Sequence, residues 1–128
     1  TQSLCEVKDG ARLIAKALEM IYGDAVLELI GGSVELESLI ISGDGGSAIV
    51  YNHSGLLKVD QLIFGQDGVY YFAGSEGQLG LKGDWSVEAL LQIQNSNWYF
   101  QGESIQADQL NVKLEMHSGV TYSVFSLQ

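Results

Sequence analysis

A short phrase of apolar and polar residues recurs along the chain. The phrase reads apolar, any, apolar, acidic, any, Leu, and copies of it or close variants begin at Val34, Leu57, Trp85 and Ile105. Two apolar residues separated by one polar residue are typical of a strand with one buried face. The acidic fourth residue is expected to face solvent or to occupy a bend, and Leu begins a second buried stretch. The pattern predicts a strand unit used about four times, at intervals of roughly 20–28 residues that are typical of repeat architectures.

The first residues carry a different pattern. Between residues 3 and 22, apolar residues step by three and four, as on one face of a helix: Leu4, Val7, Ala11, Ile14, Leu18 and Ile21. Ser3 and Glu6 have the spacing of a capping box, and Gly23 suits the position after a helix. We therefore predict one N-terminal amphipathic helix over about residues 3–22.

The remaining residues, about 25–127, indicate about ten short strands separated by turns of Gly, Asn, Asp and Ser. Short turns favour antiparallel neighbours, and the aromatic runs at 69–72 and 98–100 are typical of hairpin returns. The predicted fold is one domain, residues 1–128, mainly β and α+β by content, with the strands in an antiparallel sandwich or roll.

A second architecture fits the same repeats. Residues 33–53 and residues 56–76 each have about the length of one coil of a short right-handed β-helix. An amphipathic helix commonly caps such a stack, and the predicted N-terminal helix would then be that cap. The pattern of strands alone leaves both architectures open.

Composition and charge narrow the classes of partner. The chain has 128 residues, 46% of them apolar, and 16 acidic residues against 6 basic ones. A net charge of −10 opposes binding to nucleic acid or to anionic lipid, and no apolar run is long enough to span a membrane. Cys5 is the only cysteine, which excludes an intrachain disulfide and favours the cytoplasm; a mature secreted fragment is the alternative.

Candidate chemistry is sparse. His53 and His117 each begin a His-Ser-Gly tripeptide beside a predicted strand, a context that favours turns over catalysis. The acidic glycine turns lack the spacing of known calcium loops, and no phosphate-binding glycine motif is present. We therefore predict no catalytic residue, no cofactor and no metal site.

The aromatic and basic residues point instead to association. Neighbouring aromatics on a strand point to opposite faces, so Tyr71 and Tyr99 are expected to face away from the core. The predicted partner-binding residues are Tyr71, Tyr99, Trp85, Trp98, Lys8, Arg12 and Lys16. The expected function is that of a non-catalytic structural or protein-binding module, a subunit of a homo-oligomer or of a larger complex. The alternatives are a carrier of an apolar small ligand in a β core, and an acidic inhibitor or nucleic-acid mimic.

Overall fold

The computed structural model describes residues 2–22, 24–44, 46–65, 67–74, 76–83, 98–100, 103–104, 110–117 and 119–127. These residues form twelve strands and no helix: β1 (Gln2–Lys8), β2 (Arg12–Tyr22), β3 (Asp24–Ile30), β4 (Ser33–Asp44), β5 (Ala48–Asn52), β6 (Leu56–Phe64), β7 (Gly68–Phe72), β8 (Gln78–Lys82), β9 (Trp98–Phe100), β10 (Glu103–Ser104), β11 (Leu110–His117) and β12 (Val120–Leu127). The prediction of a mainly β protein is confirmed.

The strands form two six-stranded sheets, and strands β1 to β9 alternate between them. Sheet A has the order β1-β3-β5-β7-β9-β10, and sheet B has the order β11-β12-β8-β6-β4-β2. Strands β1 to β7 each pair in parallel with the strand two places later in the chain, whereas the other neighbour of β8 is β12. Each odd strand and the even strand after it therefore make one coil, and the coils stack as in a β-solenoid.

The predicted antiparallel sandwich is wrong for the body of the molecule. Antiparallel pairing occurs among the described strands only at the C-terminal end, in β8–β12, β12–β11 and β9–β10. The short turns misled because, from β1 to β8, each connection joins strands of opposite sheets instead of hydrogen-bonded neighbours. The residue that pairs with a given residue in the same sheet lies in the next coil. Successive partners in sheet B are, for example, Leu13, Val34, Leu57 and Leu79. The stacking of coils in the β-helix alternative is confirmed.

The N-terminal helix is also wrong, both as a separate element and as a cap. Residues 3–22 form β1 and β2, joined by a tight turn in which Ala11 N donates to Lys8 O at 2.9 Å. Gly10 has a φ of 79°, which suits it to that turn. The predicted apolar stripe does not form one face: Val7 is buried and Leu18 half-buried, whereas Leu4 and Ile14 are 58% and 62% exposed. The inward residues of β2 are instead Leu13, Ala15, Leu18 and Met20.

Two copies of the recurring phrase lie in strands β4 and β6. In β4, Val34 and Leu36 are buried before the acidic Glu37, and Leu39 and Ile41 are buried after it. In β6 the buried residues Leu57 and Val59 are likewise followed by Asp60 and then Phe64. The predicted burial is confirmed for the copy in β4. In the copy in β6, Leu57, Val59 and Phe64 are buried, but Leu62 is half-buried and Ile63 is 44% exposed. The copies at Trp85 and Ile105 lie outside the described residues or extend beyond them.

The core lies between the two sheets. Sheet A contributes Leu29, Val50, Tyr70 and Phe72, which have no exposed surface, and these residues belong to one apolar cluster with the inward residues of sheet B. Where sheet A passes to sheet B, each coil turns through Gly32, Gly55 or Gly77, which we call the corner glycines. The residue after each corner donates its amide to the coil before: Ser33 N to Ala11 O, Leu56 N to Gly32 O, and Gln78 N to Gly55 O, at 2.9–3.1 Å.

Candidate association surface

The outer face of sheet A carries a row of residues in register. Glu28, Tyr51 and Tyr71 are Cα partners in successive strands, and Tyr99 is the next partner of Tyr71. The rings of Tyr51 and Tyr71 lie 5.2 Å apart at 54°, and both side chains are half-buried. We call Tyr51 and Tyr71, with Tyr99 by register, the aromatic row. The outward position predicted for Tyr71 is thus observed.

His53 lies at one side of the aromatic row. It follows β5 in a bend, and its ring stacks on Tyr51 with centroids 6.5 Å apart. Its Nε2 is 3.4 Å from Glu28 Oε2, but among the described residues this nitrogen has no hydrogen-bond partner. A bend position agrees with the predicted turn. His117 is the last residue of β11, just before the hairpin turn at Gly119.

The outer face of sheet B carries a polar network around Lys58. The Lys58 side chain is only 6% exposed, and its Nζ donates to Glu115 Oε1 at 2.6 Å. The same Nζ lies 5.3 Å from the centroid of the Tyr122 ring. Gly80 lies between Lys58 and Val124 in register, and a Cβ there would come within 3.1 Å of Lys58 Cγ. The small Gly80 leaves the lysine room to pass over β8 and reach β11.

Tyr122 joins this network to a carboxylate. Its Oη donates to Asp60 Oδ1 at 3.0 Å, and Lys82 Nζ lies 3.8 Å from the other oxygen of Asp60. Burial is the main cause that raises the pKa of Tyr122 to about 12, and the hydrogen bond to Asp60 and the charges of Asp60 and Glu35 act in the same direction. A phenol held neutral in this way is suited to holding strands together and unsuited to acting as a base.

The predicted basic residues lie in the first coil, but not on one helical row. Lys8 ends β1 and lies 3.5 Å from Glu6, while Arg12 begins β2 and its Nη2 lies 3.1 Å from both oxygens of Glu35. Lys16 occupies the bend of β2, beside an open groove of about 370 Å³ that Asp60 and Tyr122 also line. Of the other predicted residues, Trp98 is the register partner of Tyr70, and Trp85 lies outside the described residues.

Both edge strands of sheet B carry large apolar side chains that are exposed to solvent. At the first edge, Ile14 of β2 is 62% exposed, and Leu13, Ala15 and Leu18 on the inward face are only half-buried. At the last edge, Val112, Leu114 and Met116 of β11 are 45%, 61% and 65% exposed. We call these strands the β2 edge and the β11 edge. Neither edge is predicted by the sequence. The sequence indicates a helix over the residues of β2, and the position of β11 at the edge of sheet B follows only from the pairing of the strands.

Comparison of the chain with protein-family models, curated proteins and solved structures finds no match. Within the described part of the chain, no three His, Cys, Asp or Glu side chains come together as a metal site requires. The same part contains no helix long and apolar enough to cross a membrane.

Proposed function

We propose that this chain is a non-catalytic assembly module that associates with further copies of itself. The observation that carries the proposal is the exposure of large apolar side chains on the β2 edge and on the β11 edge. Edge strands also present backbone amides and carbonyls that a further strand can pair with. Exposed apolar patches on edges of this kind are typical of sites that another protein chain covers.

The aromatic row supports a further contact on the side of the stack. Tyrosine combines a broad apolar ring with a polar hydroxyl, and it is enriched where proteins meet. Tyr71 and Tyr99 are adjacent in register, so a partner that lies along sheet A meets both positions. We assign them the role of a lateral contact. Trp98 is left out of this contact, because it is the register partner of the buried Tyr70.

Two observations favour assembly over the alternatives. An apolar groove at the first coil, lined by Leu4, Leu18 and Ala25 among others, has a volume of about 160 Å³, below the roughly 300–1,000 Å³ of a usual ligand site. The groove of about 370 Å³ beside Lys16 is large enough, but Glu35, Glu37 and Asp60 line it, which does not suit an apolar ligand. On the outer face of sheet B, carboxylates such as Glu35 and Asp60 alternate with cations such as Arg12 and Lys82. An acidic mimic of nucleic acid requires a surface of one sign instead.

The test is the mass of the protein in solution by light scattering, measured from about one to about a hundred micromolar in a reducing buffer. A reducing agent is needed because Cys5 is exposed and free. We expect a mass above that of one chain, rising with concentration. Tyr71→Ala is expected to lower the mass, whereas Tyr71→Phe, which keeps the ring, is expected to preserve it. A mass of one chain at every concentration contradicts the proposal.

A further inference from the structure

The two edge strands of sheet B, β2 and β11, are compatible in direction. Strands β2, β4, β6 and β8 are parallel, β12 is antiparallel to β8, and β11 is antiparallel to β12. Strand β11 therefore runs in the same direction as β2. A second copy displaced along the stack axis brings its β11 beside β2 as a parallel neighbour, which is the pairing already used between coils.

We call a set of residues that pair in register across all six strands of sheet B a column. The inward residues of the two edge strands belong to the same columns. One column runs through sheet B from Leu13 to Val112: Leu13, Val34, Leu57, Leu79, Phe125 and Val112. The next runs from Ala15 to Leu114: Ala15, Leu36, Val59, Leu81, Ser123 and Leu114. Both columns are buried in the middle and open at the ends. A copy stacked in register covers the exposed Leu114 of one chain with Ala15 of the next.

The outward residues of the edges include one pair of opposite charge. Lys16 of β2 is exposed beside the groove that Asp60 and Tyr122 also line, and Glu115 of β11 is the register partner of Tyr122. In a head-to-tail stack, Lys16 of one chain meets Glu115 of the next. In a head-to-head contact, β2 meets a second β2, and the continuous columns are lost.

We propose that copies of this chain stack head to tail, with the β2 edge of one chain paired in parallel with the β11 edge of the next. This inference rests on the proposed function and specifies its contact. Because the two surfaces differ, the contact is heterologous and produces an open chain of subunits, whereas a closed dimer requires the same surface on both sides.

The experiment uses two variants, each blocked at one end. Leu114→Lys places a charge on the β11 edge, where Leu114 is 61% exposed, and Ala15→Lys places one on the β2 edge, where Ala15 is half-buried. Ile63→Lys is the matched control. Ile63 is 44% exposed, and it lies on β6, a central strand of sheet B that belongs to neither edge. Urea midpoints close to the wild-type value establish that the variants are folded.

All proteins in this experiment carry Tyr71→Ala, so that the lateral contact is absent. At matched concentration, light scattering is expected to show species larger than two chains for this parent and for Ile63→Lys, and a monomer for each blocked variant alone. An equimolar mixture of Leu114→Lys and Ala15→Lys yields species of two chains and no more, because each variant retains one good edge. If either blocked variant still dimerises alone, or if both assemble like the parent, assembly persists by another surface and the head-to-tail inference is overturned. A monomeric wild type removes the proposed function as well.

A disulfide cross-link provides a second readout should either lysine variant unfold. In a Cys5→Ser background, Ile14→Cys and Lys113→Cys lie at opposite ends of one outward column, so the two variants mixed under oxidation are expected to form a mixed disulfide. Glu76→Cys, in an exposed turn, replaces either partner as the control. Efficient Ile14→Cys homodimers without the mixed product indicate a head-to-head contact and contradict the inference.

Discussion

Asn52 is a polar side chain with no exposed surface, placed where β5 ends in the core. Its Nδ2 donates to Tyr70 Oη at 2.8 Å and to Gln78 O at 3.0 Å, and its Oδ1 accepts from Gly55 N at 3.0 Å. The side chain thus satisfies polar groups in its own corner and in the following coil. A buried amide with all of these partners fixes the relative position of two coils.

We expect Asn52→Ala to lower the free energy of unfolding by about 2–4 kcal/mol, because it leaves several buried polar groups without a partner. Tyr70→Phe removes one hydroxyl and is expected to cost about 1 kcal/mol. Urea unfolding of both variants and of the double variant gives the coupling energy. If Asn52→Ala unfolds at the wild-type midpoint, the buried network does not stabilise the stack.

The pKa of Tyr122, raised to about 12, makes the stability of the folded chain depend on pH above about 10. Below about pH 10 this phenol is protonated in both the folded and the unfolded chain, and its contribution to stability is complete. Between about pH 10 and 12 the unfolded chain loses the proton and the folded chain keeps it, so unfolding becomes more favourable. Burial raises the pKa of Tyr70 in the same direction.

We therefore expect the urea midpoint to fall as the pH rises above about 10, and to fall less steeply in Tyr122→Phe. Tyr71→Phe, at a half-exposed position on the other sheet, is the control and is expected to follow wild type. Equal slopes for all three proteins between about pH 9 and 11.5 contradict the assigned role of Tyr122.

At the scale of the elements, the corner glycines determine how closely successive coils approach. A Cβ on Gly55 would stand 2.7 Å from Gly32 O and 2.8 Å from Leu29 Cβ, closer than real contacts allow. A Cβ on Gly32 or on Gly77 would likewise come within 3 Å of the coil before it. The corners use glycine because a side chain has no room there, and the amide-to-carbonyl bonds between coils require the close approach.

Gly55→Ala is accordingly expected to destabilise the protein by about 1–3 kcal/mol, because the backbone must move apart at a close contact. Ser54→Ala, the neighbouring position in the same bend, is half-buried and serves as the control with an expected change below about 0.5 kcal/mol. The two urea midpoints are compared directly. Equal midpoints for the two variants would show that the corner is not close-packed.

At the scale of the whole molecule, net charge opposes assembly. Two chains of charge −10, stacked about 29 Å apart at six strand spacings, repel by about 14 kcal/mol in water without salt, and by only about 1 kcal/mol at 0.1 M salt. An exposed ion pair such as Lys16 with Glu115 contributes about 0.2–1 kcal/mol. Repulsion between the two net charges is therefore stronger than the ion pair at low ionic strength, and apolar contact at the edges must overcome it.

We therefore expect assembly to strengthen as salt is added, with at least a tenfold lower dissociation constant at about 150 mM than at about 10 mM NaCl. Sedimentation velocity across this range measures it, and Lys16→Gln is expected to shift the constant far less than salt does. Weaker assembly at higher salt would indicate that ion pairs, and not the apolar edges, carry the contact.

Local pattern was enough to predict several features of this protein. The apolar positions of β4 and β6 and the outward position of Tyr71 follow from alternation along a single strand. The interval between phrases also predicted a repeat of about the observed coil length. These are local properties, since a strand with one buried face shows its period in any β architecture.

The arrangement of these strands depends on contacts that the chain makes one coil away. Parallel and antiparallel stacks use the same alternation, so only the register from Leu13 to Leu79 shows that each short turn joins opposite sheets. The residues of β2 also fit a helical period, and only their pairing with β4 shows that they form a strand. Lys58 meets Glu115 across 57 positions of sequence because two intervening strands bring them together. The sequence by itself determined the main buried positions of β4 and β6, because alternation within one strand sets them; tertiary pairing alone decided which strands are neighbours and which edges stay open.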